Sequence, residues 1–163
     1  MTVNVRKVRK DDVKGIIELI KQISYVINGK RVYARESPSS LRRIIRDCNN
    51  INVVAHINSN IVGYGRVRIV NEKEGRIERI VVGEKYRRRG IGGLILGELE
   101  RLTLEYMKRR DIEELMLVAL VDVENEPAFR LFSSRHYSYS LVKCESYTAY
   151  RMKKILRYGI ENT

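Results

Sequence analysis

The sequence predicts a single α/β (α+β) domain: a mixed, mostly antiparallel central sheet of about seven strands with a parallel pair in the middle, flanked by about four helices. Three observations carry this reading. Strand-like runs at 53–57, 61–70 and 76–82 are joined by short turns of Asn, Ser and Gly, the pattern of antiparallel hairpins. The third run leads through a glycine loop into a long amphipathic helix and then the nearly unbroken apolar run Leu115–Val121. A strand, a crossover helix and a second buried strand make a parallel unit. Finally, the 163 residues are 44% hydrophobic and 32% charged, enough to bury one real core.

Taken in order, Val3, Val5 and Val8 alternate with polar residues as a first strand. Asp11 or Asp12 is expected to cap a helix with the apolar stripe Val13, Ile16, Ile17, Ile20, Ile23 and Ile27. Residues 28–36 read as a polar loop containing Tyr33. Ser37-Pro38 supplies a cap and a first-turn proline for a second helix whose inner face is Leu41, Ile44, Ile45 and Cys48. Asn58-Ser59-Asn60 turns the chain, and Gly63 and Gly65 mark a bulge or a close approach in the strand that follows. The long helix spans about 91–110, with Leu94, Ile95, Leu99, Leu102 and Tyr106 inward. Pro127 starts a short helix that runs to Arg135. Residues 137–142 and 147–152 complete the sheet. The domain is expected to cover 1–153, with 154–163 a basic tail.

Composition narrows the function classes. No apolar run approaches the roughly 18 residues of a membrane span, and the N-terminus lacks a signal-peptide pattern, so a cytoplasmic protein without membrane contact is expected. Cys48 and Cys144 are far apart, and His56 and His136 complete no ligand set, so no disulfide framework and no metal are expected. The net charge of +12 suits a polyanion, whether nucleic acid, an anionic membrane or a phosphorylated cofactor, and does not choose among them. No helix-turn-helix, RRM or zinc-finger pattern supports nucleic acid. Many Lys, Arg, Glu and Ile with one Gln and no Trp hint at a thermophile. The sequence leaves a homodimer open.

The chemistry concentrates at Arg87-Arg88-Arg89-Gly90-Ile91-Gly92-Gly93, where a strand has ended and a helix begins. A helix N-terminus exposes unpaired N–H groups and the positive end of the dipole. Missing Cβ atoms let a phosphate reach that backbone, and arginines add charge-assisted bonds. The P-loop pattern is absent, and Ile95 stands where a dinucleotide fold needs its third glycine.

Arg87-x-x-Gly90-x-Gly92, after Ile80-Val81-Val82 and Tyr86, resembles the acetyl-CoA signature of the GCN5-related N-acetyltransferases (GNAT). Asn125-x-x-Ala128-x-x-Leu131-Phe132 is similar to the helix that follows that family's fifth strand, and 5–12 resembles its opening. The resemblance covers 5 to about 152. It implies the GNAT fold and transfer of an acetyl group from acetyl-CoA to a primary amine, on a small molecule, a protein lysine or an N-terminus, by direct attack in a ternary complex. It also implies that backbone groups of Ile80, Val81 and Val82 pair with the pantetheine arm. The segment Arg87, Arg88, Arg89, Gly90, Ile91, Gly92 and Gly93 would take the pyrophosphate, and Asn125 the cofactor arm. A CoA-binding regulator or a basic nucleic-acid-associated protein is the alternative on the same fold.

The resemblance falters at the proton carriers. The tyrosine that many members use as acid is replaced by Phe132, and the glutamate of N-terminal acetyltransferases by Leu120. Tyr137, with Tyr139 beside it, is the expected acid. Glu78 is the expected base, because period-2 alternation puts it on one face with Ile80 and Val82, with Asp122 and Glu124 second choices. The acceptor amine is expected between residues 25–33 and 137–147.

Overall fold

The computed structural model describes residues 2–27, 30–143 and 145–159. The elements are β1 (Asn4–Lys7), α1 (Val13–Ile20), β2 (Ser24–Ile27), β3 (Lys30–Tyr33), α2 (Pro38–Arg46), β4 (Asn50–Ile57), β5 (Asn60–Ile69) and β6 (Glu74–Val82), followed by α3 (Ile91–Arg109), β7 (Glu114–Asp122), α4 (Glu126–Ser134), β8 (Ser138–Lys143) and β9 (Thr148–Arg157). Seven strands form one sheet in the order β1-β4-β5-β6-β7-β9-β8, and β2-β3 is a separate hairpin. Within the large sheet every pairing is antiparallel except β6–β7. The predicted mixed sheet with a central parallel pair and four helices is thus the observed architecture. Among the described residues no helix is long and apolar enough to cross a membrane.

Helices cover both faces. On one, α3 and α4 bury Ile95, Leu96, Leu99, Leu102 and Phe132 against inward residues of β4–β9, such as Val53, Val67, Leu117 and Met152. Each such side chain contributes about 1.5–3 kcal/mol. On the other, α1 and α2 bury Ile16, Ile20 and Leu41 against Val54, Tyr64 and Val81. Gly63 and Gly65 permit the close approach of α3. A Cβ on Gly63 would come 2.7 Å from Ile95 Cδ1, and one on Gly65 2.9 Å from Leu99 Cδ1. Leu94 lies on the outer face of α3, half exposed, rather than inward.

Three local expectations are corrected. The first helix stops at Ile20, where Gln22 and Ile23 N–H groups bond back to Leu19 and Ile20. Ser24-Tyr25-Val26-Ile27 is a β-branched, aromatic run that pairs with 30–33 instead of continuing the helix. The expected loop is therefore partly a hairpin; Asn28 and Gly29 lie outside the described residues. Asp12 does not cap α1 with its side chain. Its carboxylate accepts two bonds from Arg6, at 2.7 and 3.0 Å, and one from the Arg9 N–H at 2.6 Å, tying β1 to the start of α1. Lastly, β9 continues past Met152 to Arg157, so the boundary expected at 153 falls inside a strand. Its charge density hides the alternation that buries Leu156 while 153–157 pair with 118–114. Ser37, by contrast, caps α2 as expected, accepting from the Ser40 N–H at 3.1 Å.

Candidate active site

The site begins where the sheet divides. β6 pairs with β7 only over Glu74–Arg76, against Met116–Val118. Beyond that, β6 stays with β5 to Val82 and β7 stays with β9 to Asp122. A wedge opens between the two parallel strands. Its β6 side is a strand edge from Ile77 to Val82 that β7 does not pair. The Gly83 N–H bonds to Val62 O at 2.8 Å, on the β5 side. Because backbone groups alternate along a strand, Val81 also turns to β5, whereas Ile80 and Val82 turn to the wedge. Arg87 Nε donates to Val82 O at 3.1 Å and holds the loop against this edge.

That loop enters α3 through two left-handed residues, Arg88 (φ 62°) and Gly90 (φ 78°). Glycine adopts this conformation freely; an arginine there costs about 1 kcal/mol. The first N–H groups of α3 have no intrahelical acceptor. A Cβ built on Gly90 or Gly93 meets nothing within 4 Å, so no other side chain crowds the helix start at these two positions. Gly92 differs: its Cβ would lie 3.3 Å from Leu131, so its smallness serves the packing of α3 on α4. Ile91 is buried and can offer only its backbone. Arg89 stacks over Tyr86, 5.8 Å from the ring centre. Asn125, three residues beyond β7, caps α4 by accepting from the Ala128 N–H at 3.3 Å.

The expected acid is not placed for that role. Tyr137 is buried, and its hydroxyl donates to Glu100 at 3.2 Å. Glu100 also accepts from Arg135 at 2.9 Å and Lys154 at 3.1 Å, a cluster joining α3 to β9. Burial, then the charge and hydrogen bond of Glu100, push the Tyr137 hydroxyl far above the usual tyrosine range. Phe132 is buried edge-on to Tyr137, with ring centres 5.0 Å apart. Tyr139 is exposed against Phe129 and Tyr150. Leu120 is 58% exposed on the uncovered face of β7.

Glu78 also departs from expectation. The register passes from Arg66–Arg79 to Val67–Ile77, leaving Glu78 as the extra residue of a β-bulge. The insertion breaks the alternation. Ile80 and Val82 pack towards α3, while Glu78 joins Arg66 and Arg68 on the opposite face. Its carboxylate oxygens lie 3.0 Å from Arg66 Nε and 2.5 Å from Arg68 Nε. Arg66 is itself buried and reaches Glu36 at 3.2 Å. Sequence reasoning missed this pair. Arg66 carried a signal, as a charge at an inward alternate position after Tyr64; Glu36 carried none.

The GNAT acetyltransferase family model matches residues 16–137. No curated protein matches the chain. Among solved structures, the PaiA N-acetyltransferase of Thermoplasma acidophilum in complex with coenzyme A aligns with a TM-score of 0.73 at 20% identity, over 97% of this chain and 100% of that one. The ribosomal-protein-alanine N-acetyltransferase of Brucella melitensis aligns at 0.73 and 18%, over 94% and 99%. The putative acetyltransferase YncA of Salmonella typhimurium, solved with acetyl-CoA, aligns at 0.72 and 14%, over 100% and 98%. With its family model spanning the helices on both faces and the divided sheet between them, the chain belongs to the GNAT acetyltransferase family.

Proposed function

We propose that the chain transfers the acetyl group of acetyl-CoA to a primary amine, by direct attack of the amine in a ternary complex. One observation carries this: the wedge, whose β6 edge at Ile80 and Val82 is left unpaired by β7 and runs into a glycine-opened helix start beside three arginines. A pantetheine arm presents amides, which an open strand edge binds as it would another strand. The Ile80 and Val82 backbone would hold that arm, and Val81 supports it from β5. N–H groups from Arg88 to Gly93 would take the pyrophosphate, with Arg87 and Arg89 adding charge. The Asn125 side-chain N–H₂, unused in the helix cap, would bond the arm from the β7 side.

Bound acetyl-CoA supplies an activated acetyl thioester. The protein's own part is alignment, which can supply several kcal/mol of barrier reduction. Phe132 has no proton to give, and the Tyr137 proton is held by Glu100. Water is left to take the proton that the attacking amine releases and to protonate the departing sulfur, a tolerable arrangement for a good leaving group. With both Glu78 oxygens engaged by arginines, its part is to orient Arg66 and Arg68 rather than to act as base.

The test is Gly93→Glu. Position 93 is in the first turn of α3, where a glutamate favours the helix. Folding should therefore be preserved, while the carboxylate repels the pyrophosphate. Calorimetry should give CoA affinity weaker by tenfold or more, about 1.4 kcal/mol. Equal affinity would remove the loop from the site. Mass spectrometry of amines incubated with acetyl-CoA then reads the transfer itself.

A further inference from the structure

The loop between β3 and α2 places Glu36 over β5, where one of its oxygens, Oε1, accepts from Arg66 Nη1 at 3.2 Å. The other, Oε2, is buried without a hydrogen-bond partner. The Glu36 side chain is only 8% exposed. An orphaned oxygen on a buried carboxylate is costly, and native proteins rarely keep one without a use. Glu36 also lines a cavity of about 370 Å³ with Ile17, Lys21 and Tyr33.

Its position is informative. Arg66 pairs in register with Arg79, and its neighbour Gly65 pairs with Ile80. Glu36 therefore meets the sheet through Arg66, one register position from the Gly65–Ile80 pair and on the α1–α2 face. Glu78 differs: Arg68 donates to one of its oxygens, and the other lies in an ion pair 3.0 Å from Arg66 Nε. The surroundings are cationic. Arg68, Arg76 and Arg151 lie on the same face beyond the part that α1 and α2 cover and are partly exposed, with Arg68 paired to Glu78 and Glu74 shared between the other two.

We infer that Glu36 Oε2 receives an N–H of the acceptor amine, and that the arginines around it select a monoamine bearing anionic groups, such as a peptide N-terminus followed by acidic residues. The inference rests on the acetyl-transfer reading above. A single carboxylate oxygen satisfies a single amine. A polyamine would bring further positive charge against the arginines. Glu36 is a positioning group: it holds the nitrogen so that its lone pair faces the thioester carbon.

The experiment compares wild type, Glu36→Gln and Glu36→Asp. Acetyl-CoA is paired in turn with an N-terminal-alanine peptide carrying aspartates at its second and third positions, the same peptide with lysines there, and spermidine. The wild type should favour the aspartate peptide by about tenfold or more in kcat/KM over the other two. Glu36→Gln keeps the shape and loses the charge, so its KM for that peptide should rise about tenfold or more while kcat falls less. Glu36→Asp should recover part of the loss. CoA affinity by calorimetry should be unchanged in Glu36→Gln, while its unfolding midpoint should fall, because buried Arg66 loses an ionic partner. Intact CoA binding with no acetylation of the aspartate peptide, with spermidine preferred, or with an unchanged KM in Glu36→Gln overturns the inference and leaves the cofactor reading standing. Failure of the wild type to bind CoA overturns both.

Discussion

Tyr137 and Glu78 were both expected to move protons, and both side chains are committed elsewhere. For Tyr137 the consequence is measurable. Tyr137→Phe deletes one donor to Glu100 but leaves Arg135 and Lys154 on that carboxylate. The loss should be about 1 kcal/mol at neutral pH, with acetyl transfer unaffected. A large drop in turnover would instead restore Tyr137 as the acid. The sign of the pH dependence follows from the raised hydroxyl. In the unfolded chain it ionises near its ordinary value of about 10, while in the fold it stays protonated well above that. The unfolded state thus binds fewer protons, and the stability that Tyr137 contributes is complete below pH ~10 and lost as pH rises further. The gap between wild type and Tyr137→Phe in a denaturant titration should narrow above that pH.

Elements set where such residues meet. Ile95 and Leu99 seat α3 close on β5 because Gly63 and Gly65 have no Cβ, and this fixes the helix start beside the end of β6. The C-terminal strand is equally structural. Lys153–Arg157 pair with Val118–Glu114, and Leu156 is 6% exposed. Ending the chain after Lys153 would remove Leu156, the Lys154–Glu100 ion pair and the partner of the first half of β7. The cost should be about 3 kcal/mol or more, seen as a lower denaturant midpoint. An unchanged midpoint would make these residues the dispensable tail that their charge suggests.

At the scale of the whole molecule, 32 Lys and Arg against 20 Asp and Glu give a field that draws anions. If Arg87, Arg88 and Arg89 meet the phosphates of CoA, affinity should weaken several-fold as salt rises from about 0.05 to about 0.5 M, because the Debye length falls below the separations involved. A salt-independent affinity measured by calorimetry would place the phosphates away from these side chains. The same field disfavours a polycationic acceptor, which links the global charge to the local choice proposed for Glu36.

Much of this was legible in the sequence because it is local. Turn residues, apolar periodicity and a glycine-rich helix start act over a few neighbours, and they sufficed for the antiparallel run β4–β5–β6, the parallel crossover to β7 and the start of α3. Tertiary structure decided what depends on partners distant in the chain. Whether 24–27 joined a helix or a strand depended on 30–33. The face of Glu78 depended on one extra residue in its register with β5. The Glu36–Arg66 pair spans 30 residues and exists only because a loop folds over the sheet. A side chain's direction is a property of pairing, and pairing is not written in any single segment. The passage from β6 into α3 could therefore be read in advance, and the partners of Glu36, Glu78 and Tyr137 could not.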